Sequence, residues 1–171
     1  MKGGKTDFIP VNHQPSAKIR AAALDKLMYQ VDSFHDGQCR CVVRFDGQVD
    51  VSKMARSVEL SLRVAPILGC RFVYHPWQSY WKKCSIPYIR VPFRHVATQD
   101  PETEVTRFLA EPLDSMQGPQ ATVCLVQSGS DTLCVKLSHL VADAMGLLNY
   151  VEILGQLYNR LLIDPEYIPP E

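Results

Sequence analysis

Residues 132–138 (TLCVKLS) form an apolar, β-prone run that leads straight into Ser138-His139-Leu140-Val141-Ala142-Asp143-Ala144-Met145-Gly146, and a long amphipathic segment follows at once. Over 144–162, Leu147, Val151, Leu154, Tyr158 and Leu161 make a continuous apolar stripe at helical spacing. Upstream, 121–128 (ATVCLVQS) is a second β-prone run, and Gly129-Ser130-Asp131 between the two reads as the turn of a hairpin. Hairpin, corner and helix in this order constrain the chain to an α/β layer with helices covering a sheet.

The remainder agrees. Pro15-Ser16 reads as a helix start, with Ile19, Ala23, Leu24, Leu27, Met28 and Val31 following at helical spacing. Residues 39–45 (CRCVVRF) predict a strand ended by Asp46-Gly47. Asp50 then reads as an N-cap for a helix carrying Val51, Met54, Ala55, Val58 and Leu62, which Pro66 stops. Strands are expected at 67–75 and 78–84 around a Pro76-Trp77 turn, and at 88–97, where the internal Pro92 calls for an edge position or a bulge. Asp100 as cap and Pro101 at the first helical position predict a short helix that presents Val105, Phe108 and Leu109 inward and ends before Pro112. The expected fold is therefore α/β, a mixed β-sheet covered by helices, in a single unit over 1–162. The tail 163–171 (IDPEYIPPE) has the composition of a linker.

Composition excludes several classes of function. Eighteen basic and eighteen acidic side chains cancel, so no net field recruits nucleic acid or an anionic membrane surface. No stretch approaches the roughly 20 apolar residues of a membrane span, and the start MKGGKTDFIPVNHQ lacks a secretory apolar run, which points to the cytoplasm. The six cysteines (39, 41, 70, 84, 124 and 134) have neither zinc spacing nor the density of a disulfide framework, and read as reduced core residues. His13, His35 and His95 have no ligating side chain at suitable spacing, so no metal is expected. No phosphate loop, dinucleotide fingerprint or nucleophile elbow is present. His75, Pro76, Trp77, Tyr80 and Trp81 form an aromatic cluster that suits a packed strand turn, though such a cluster can also line a pocket.

The chemistry-bearing feature is the corner itself. An imidazole at a strand tip, with a carboxylate four residues on, can take a proton from a hydroxyl or amine. The same spacing also suits a packed ring followed by a helix cap.

Four local patterns lie in register with one known family. CVVRFDGQVDVSKMARSVELSLRVAPILGCRFV resembles the opening strand, "G-x-[LV]-D" turn, helix and "P-x-L" strand of the chloramphenicol acetyltransferase-like superfamily. EPLDSMQGPQATVCLVQ resembles its "P-L-D … G-P" entry to a strand, SHLVADAMG its His-x-x-x-Asp-Gly signature, and LLNYVEILGQLYNRL the helix that follows. That superfamily contains the condensation domains of non-ribosomal peptide synthesis, the plant BAHD acyltransferases and polyketide-associated acyltransferases. The likeness runs from about residue 39 to 162.

The resemblance implies acyl transfer from a coenzyme A or carrier-protein thioester to a small-molecule amine or alcohol, with no resident cofactor. His139 matches the family's catalytic histidine, acting as general base or by positioning, and Asp143 matches an aspartate that pairs with an arginine. Arg20, Arg71 and Arg94 are the in-chain candidates for that arginine.

Ser138 stands where condensation domains carry a second histidine, Ala144 where glycine is usual, and Gly69 where many relatives have arginine. Gly146 closes the motif. No Asp-Phe-Gly-Trp-Gly segment occurs, and the family's two-lobed members are longer. The implied partner is a second lobe, or another copy in a homo-oligomer, together with a carrier protein for thioester delivery. Ser138 and Ala144 also suit a catalytically inactive condensation-like binding or scaffolding module.

Overall fold

A computed structural model describes residues 18–32, 37–84 and 93–170. The central layer is a four-stranded sheet in the order β2-β7-β6-β5, with β2 at Gln38–Arg44, β5 at Phe93–Ala97, β6 at Ala121–Gln127 and β7 at Thr132–Ser138. β2, β7 and β6 are antiparallel neighbours, while β5 runs parallel to β6, which makes the sheet mixed. The hairpin register sets Cys124 opposite Cys134 and Ala121 opposite Leu137.

Strand alternation assigns the two faces. Ala121, Val123, Leu125, Leu133, Val135 and Leu137 project to one side, where they meet Met54 and Val58 of α2 (Val51–Val64) and Leu147, Tyr150 and Leu154 of α4 (Ala144–Ile163). Cys124, Val126 and Cys134 project to the other and meet Val105 and Phe108 of α3 (Pro101–Ala110). Cys39 and Cys41 share the first face, packed on that core. With helices on both sides, β7 is buried along its whole length. Burial pushes the Cys134 thiol up to about 12 and the Cys124 thiol up to about 11, so both are neutral at ordinary pH.

The helix starts follow the capping logic of the sequence. Asp50 and Asp100 accept from the backbone N–H of Lys53 and Thr103, and Pro101 occupies the first turn of α3. β5 is an edge strand that starts at Phe93, while Pro92 and the rest of 85–92 lie outside the described residues.

The structure departs from the sequence expectations in several places. The helix expected from Pro15-Ser16 begins only at Ala23, as α1 (Ala23–Asp32), while Pro15 and Ser16 lie outside the described residues. Lys18–Arg20 is instead a strand, β1, whose backbone pairs with β4 (Tyr80–Lys83). Asp25 anchors the later start, accepting from Ala22 N and from the Trp81 indole, both at 2.9 Å. The strand expected at 67–75 opens with a 3-10 turn, Pro66–Gly69, because Pro66 fits a first helical turn, and extended β3 starts at Cys70 (Cys70–Val73).

A second sheet, β1-β4-β3, stands apart from the main one. It packs Phe72 and Trp81 against Ala21 and Leu140, with Met28 and Tyr29 of α1 alongside. Finally, part of the linker-like tail is packed: Tyr167 lies on Leu60, Leu157 and Leu161, and Pro169 is buried. No helix among the described residues is long and apolar enough to cross a membrane.

Candidate functional site

The corner lies where β7 ends. Ser138 is the last strand residue, fully buried, while His139 is exposed to solvent and Leu140 turns back into the core beside Phe72 and Trp81. The unbroken burial of β7 thus ends at His139. The His139 backbone N–H donates to Gly37 O at 2.8 Å and Val141 N donates to Ser138 O at 3.1 Å, which fixes the turn. Neither nitrogen of the His139 ring has a hydrogen-bond partner among the described residues. The ring is open to solvent rather than stacked in the interior.

Asp143 is the N-cap of α4, and its Oδ1 accepts from Gly146 N at 2.8 Å. No arginine pairs with it among the described residues. Arg94 is committed elsewhere, holding Glu111 through two bonds of 2.8 and 2.9 Å, and the guanidinium keeps that carboxyl below the usual carboxylate range. Arg20 and Arg71 are exposed and form no ion pair within the described residues.

Ala144, the first residue of α4, sits without strain. No non-glycine residue in the described chain has a positive φ, so glycine is not needed there. The close approach falls instead at Gly146, where an added Cβ would lie 2.9 Å from the Ala142 Cβ and 3.5 Å from Asp143 Oδ1. Gly146 thereby lets the loop fold down over the first turn of the helix.

Beneath the corner, Cys39 of β2 reaches Ala142 O from its Sγ at 3.6 Å. Burial, aided by the negative charge of Asp143, raises its pKa, so the thiol is neutral and acts as a donor to the loop. Sequence spacing singled out Ser138, His139, Asp143, Ala144 and Gly146, but nothing in the sequence joined Cys39, Ser115 and Gln120 to the corner, because they arrive from other segments.

Ser115 Oγ lies 2.7 Å from Ser138 Oγ, and Gln120 donates from Nε2 to Ser115 O and Cys70 O, both at 2.9 Å. Two cavities of about 500 and 520 Å³ lie at the opposite end of the sheet. The first is apolar, between β2 and α4 around Phe45, Met54 and Tyr158; the second is polar, around Gln99 and Gln127. Neither includes His139. Among the described residues no group of three or more His, Cys, Asp or Glu side chains could hold a metal ion.

No protein-family model and no curated protein matches this sequence. Solved structures do. The first condensation domain of the calcium-dependent antibiotic synthetase, in complex with a substrate analogue, matches with a TM-score of 0.74 at 21% identity, over 90% of this chain and 40% of that one. The starter condensation domain of rhizomide synthetase matches at 0.72 and 12% identity, over 91% and 40% of the two chains. The epimerization domain from the third module of tyrocidine synthetase B matches at 0.71 and 15% identity, over 90% and 37%. At these identities the likeness shows the fold, that of one lobe, and the chain spans about 40% of the length of the condensation domains it matches.

Proposed function

We propose that this chain, folded as one lobe of the chloramphenicol acetyltransferase-like superfamily, forms half of a condensation-type acyltransferase site with His139 as its base. The observation that carries this reading is the exposed imidazole of His139 on a turn whose backbone is pinned on both sides. An acyl thioester, on coenzyme A or on a carrier protein, would lie over this corner with an amine or alcohol acceptor. As the acceptor nitrogen or oxygen attacks the thioester carbonyl, the free imidazole nitrogen takes its proton and the thiolate departs.

The other wall of the cleft comes from a second lobe or a second copy of the chain, since the lobe alone leaves His139 open to water. A cytoplasmic location, where such thioesters are made, belongs to the same proposal.

The capping role of Asp143, with no arginine partner in the described residues, favours the second reading, a catalytically inactive condensation-like module that binds or scaffolds. Replacing His139 by alanine in the assembled protein separates the two. General-base catalysis predicts a loss of turnover of about 10²–10⁴-fold, with an unchanged melting temperature because the ring is exposed. Turnover that survives the substitution removes His139 from the chemistry.

A further inference from the structure

We propose that Ser115 is a positioning residue for His139, acting through Ser138. The inference rests on the reading of His139 as the reacting group. Ser115 is 23 residues away from Ser138 in sequence, on the segment that leads into β6, yet the two hydroxyl oxygens lie 2.7 Å apart in the interior. Ser138 is 0% and Ser115 7% exposed.

The Ser138 Oγ also accepts from Leu140 N at 3.2 Å, so a single buried oxygen spans the residue that bears the imidazole. Ser138 N donates to Gln120 O at 2.9 Å, which holds the strand side of the turn. Ser115 is itself immobilised, its carbonyl accepting from Phe72 N at 3.1 Å and from Gln120 Nε2 at 2.9 Å. A chain of contacts therefore runs from β3 through Ser115 and Ser138 to the Leu140 amide, and passes around His139.

The proton inventory allows the bridge in either sense. Each hydroxyl has one proton, and the bridge uses one of the two. Ser138 Oγ already accepts from Leu140, so its remaining capacity is to donate to, or accept from, Ser115. Removing the Ser115 hydroxyl frees the Ser138 rotor to leave Leu140, and the turn loses its internal tie. Because a displacement of about 1 Å at a reacting group is worth on the order of 10² in rate, a small rotation there is read strongly by catalysis and weakly by stability.

The test uses Ser115→Ala, Ser138→Ala and the double variant. In the 171-residue chain, Ser115→Ala is expected to shift the ring resonances of His139, leaving those of His75 and His95 in place, and to speed hydrogen exchange at the Leu140 amide. In the assembled enzyme the same change is expected to lower kcat by roughly ten- to a hundredfold with KM unchanged. The double variant should then lose no more than Ser138→Ala alone, since both changes break one bridge.

Fully additive losses, or a Ser115→Ala protein with unaltered His139 resonances and wild-type kcat, overturn the proposal. Should Ser115→Ala fail to fold, Ser115→Thr, which keeps the hydroxyl, must retain the His139 resonances; their loss counts against the bridge. A failure of the base reading looks different: His139→Ala would keep full turnover while the resonance coupling between Ser115 and His139 persisted.

Discussion

Asp143 at the corner admits two roles that differ severalfold in energy. A carboxylate that only caps a helix contributes about 1 kcal/mol, and serine replaces it with little loss. A carboxylate in a buried ion pair leaves 3–5 kcal/mol of damage when it is removed, because its partner is stranded (about that range in measured cases). Here Asp143 is exposed and its Oδ1 takes the Gly146 N–H at 2.8 Å, so capping governs. Asp143→Ala should therefore lower unfolding free energy by about 1 kcal/mol and Asp143→Ser by much less, as read from urea melts. A Ser variant as damaged as the Ala variant would restore the arginine pairing. At this scale His139 and Asp143 were legible because strand end, cap residue and helix stripe are all written locally. Ser115 and Gln120 were not, since neither has a neighbour in sequence that signals the bond it makes, and Asp131 read as a turn residue although it is buried and accepts from Val49 N at 2.7 Å.

On the level of elements, β7 shows what period-2 reasoning leaves out. Its sequence TLCVKLS alternates, and Lys136 falls on the face opposite Val135 and Leu137, the face a lone hairpin would turn to water. In the structure α3 covers that face and Lys136 is 1% exposed. Its ammonium donates to Phe108 O at 2.7 Å and Glu111 O at 2.6 Å, and lies 4.4 Å from the Phe108 ring centroid. The last carbonyls of a helix lack partners and carry partial negative charge, so this buried cation closes the C-terminus of α3 and locks it to the sheet. Lys136→Met keeps the aliphatic stem but leaves two carbonyls unsatisfied, and should destabilise the chain by about 2–4 kcal/mol. An equilibrium denaturation curve unchanged by this substitution would show that water reaches those carbonyls instead. The β1 strand was hidden for a related reason: Ile19 fits a helical pattern, but pairing opposite Trp81 claims its backbone first.

Across the whole molecule, the inward stripe of α4 was readable, but the helix is apolar on a second side as well. Met145 is 62% and Leu148 53% exposed, one turn apart on the stretch next to His139. Periodicity identifies the face that meets the sheet and says nothing of a face that meets another surface, so this side carried no signal until the packing of Leu147, Tyr150 and Leu154 assigned the first. If a second lobe or another copy completes the cleft, these two side chains lie in its path, and burying both is worth about 3 kcal/mol, on the order of a hundredfold in an association constant. The chain alone should then associate as its concentration rises, measurable by light scattering. Replacing Met145 and Leu148 together by glutamate should return it to the monomer while leaving its circular dichroism unchanged, because neither side chain supports the core. Equal association of the wild-type and doubly substituted chains would place the contact elsewhere and leave the open corner at His139 without this explanation for what covers it.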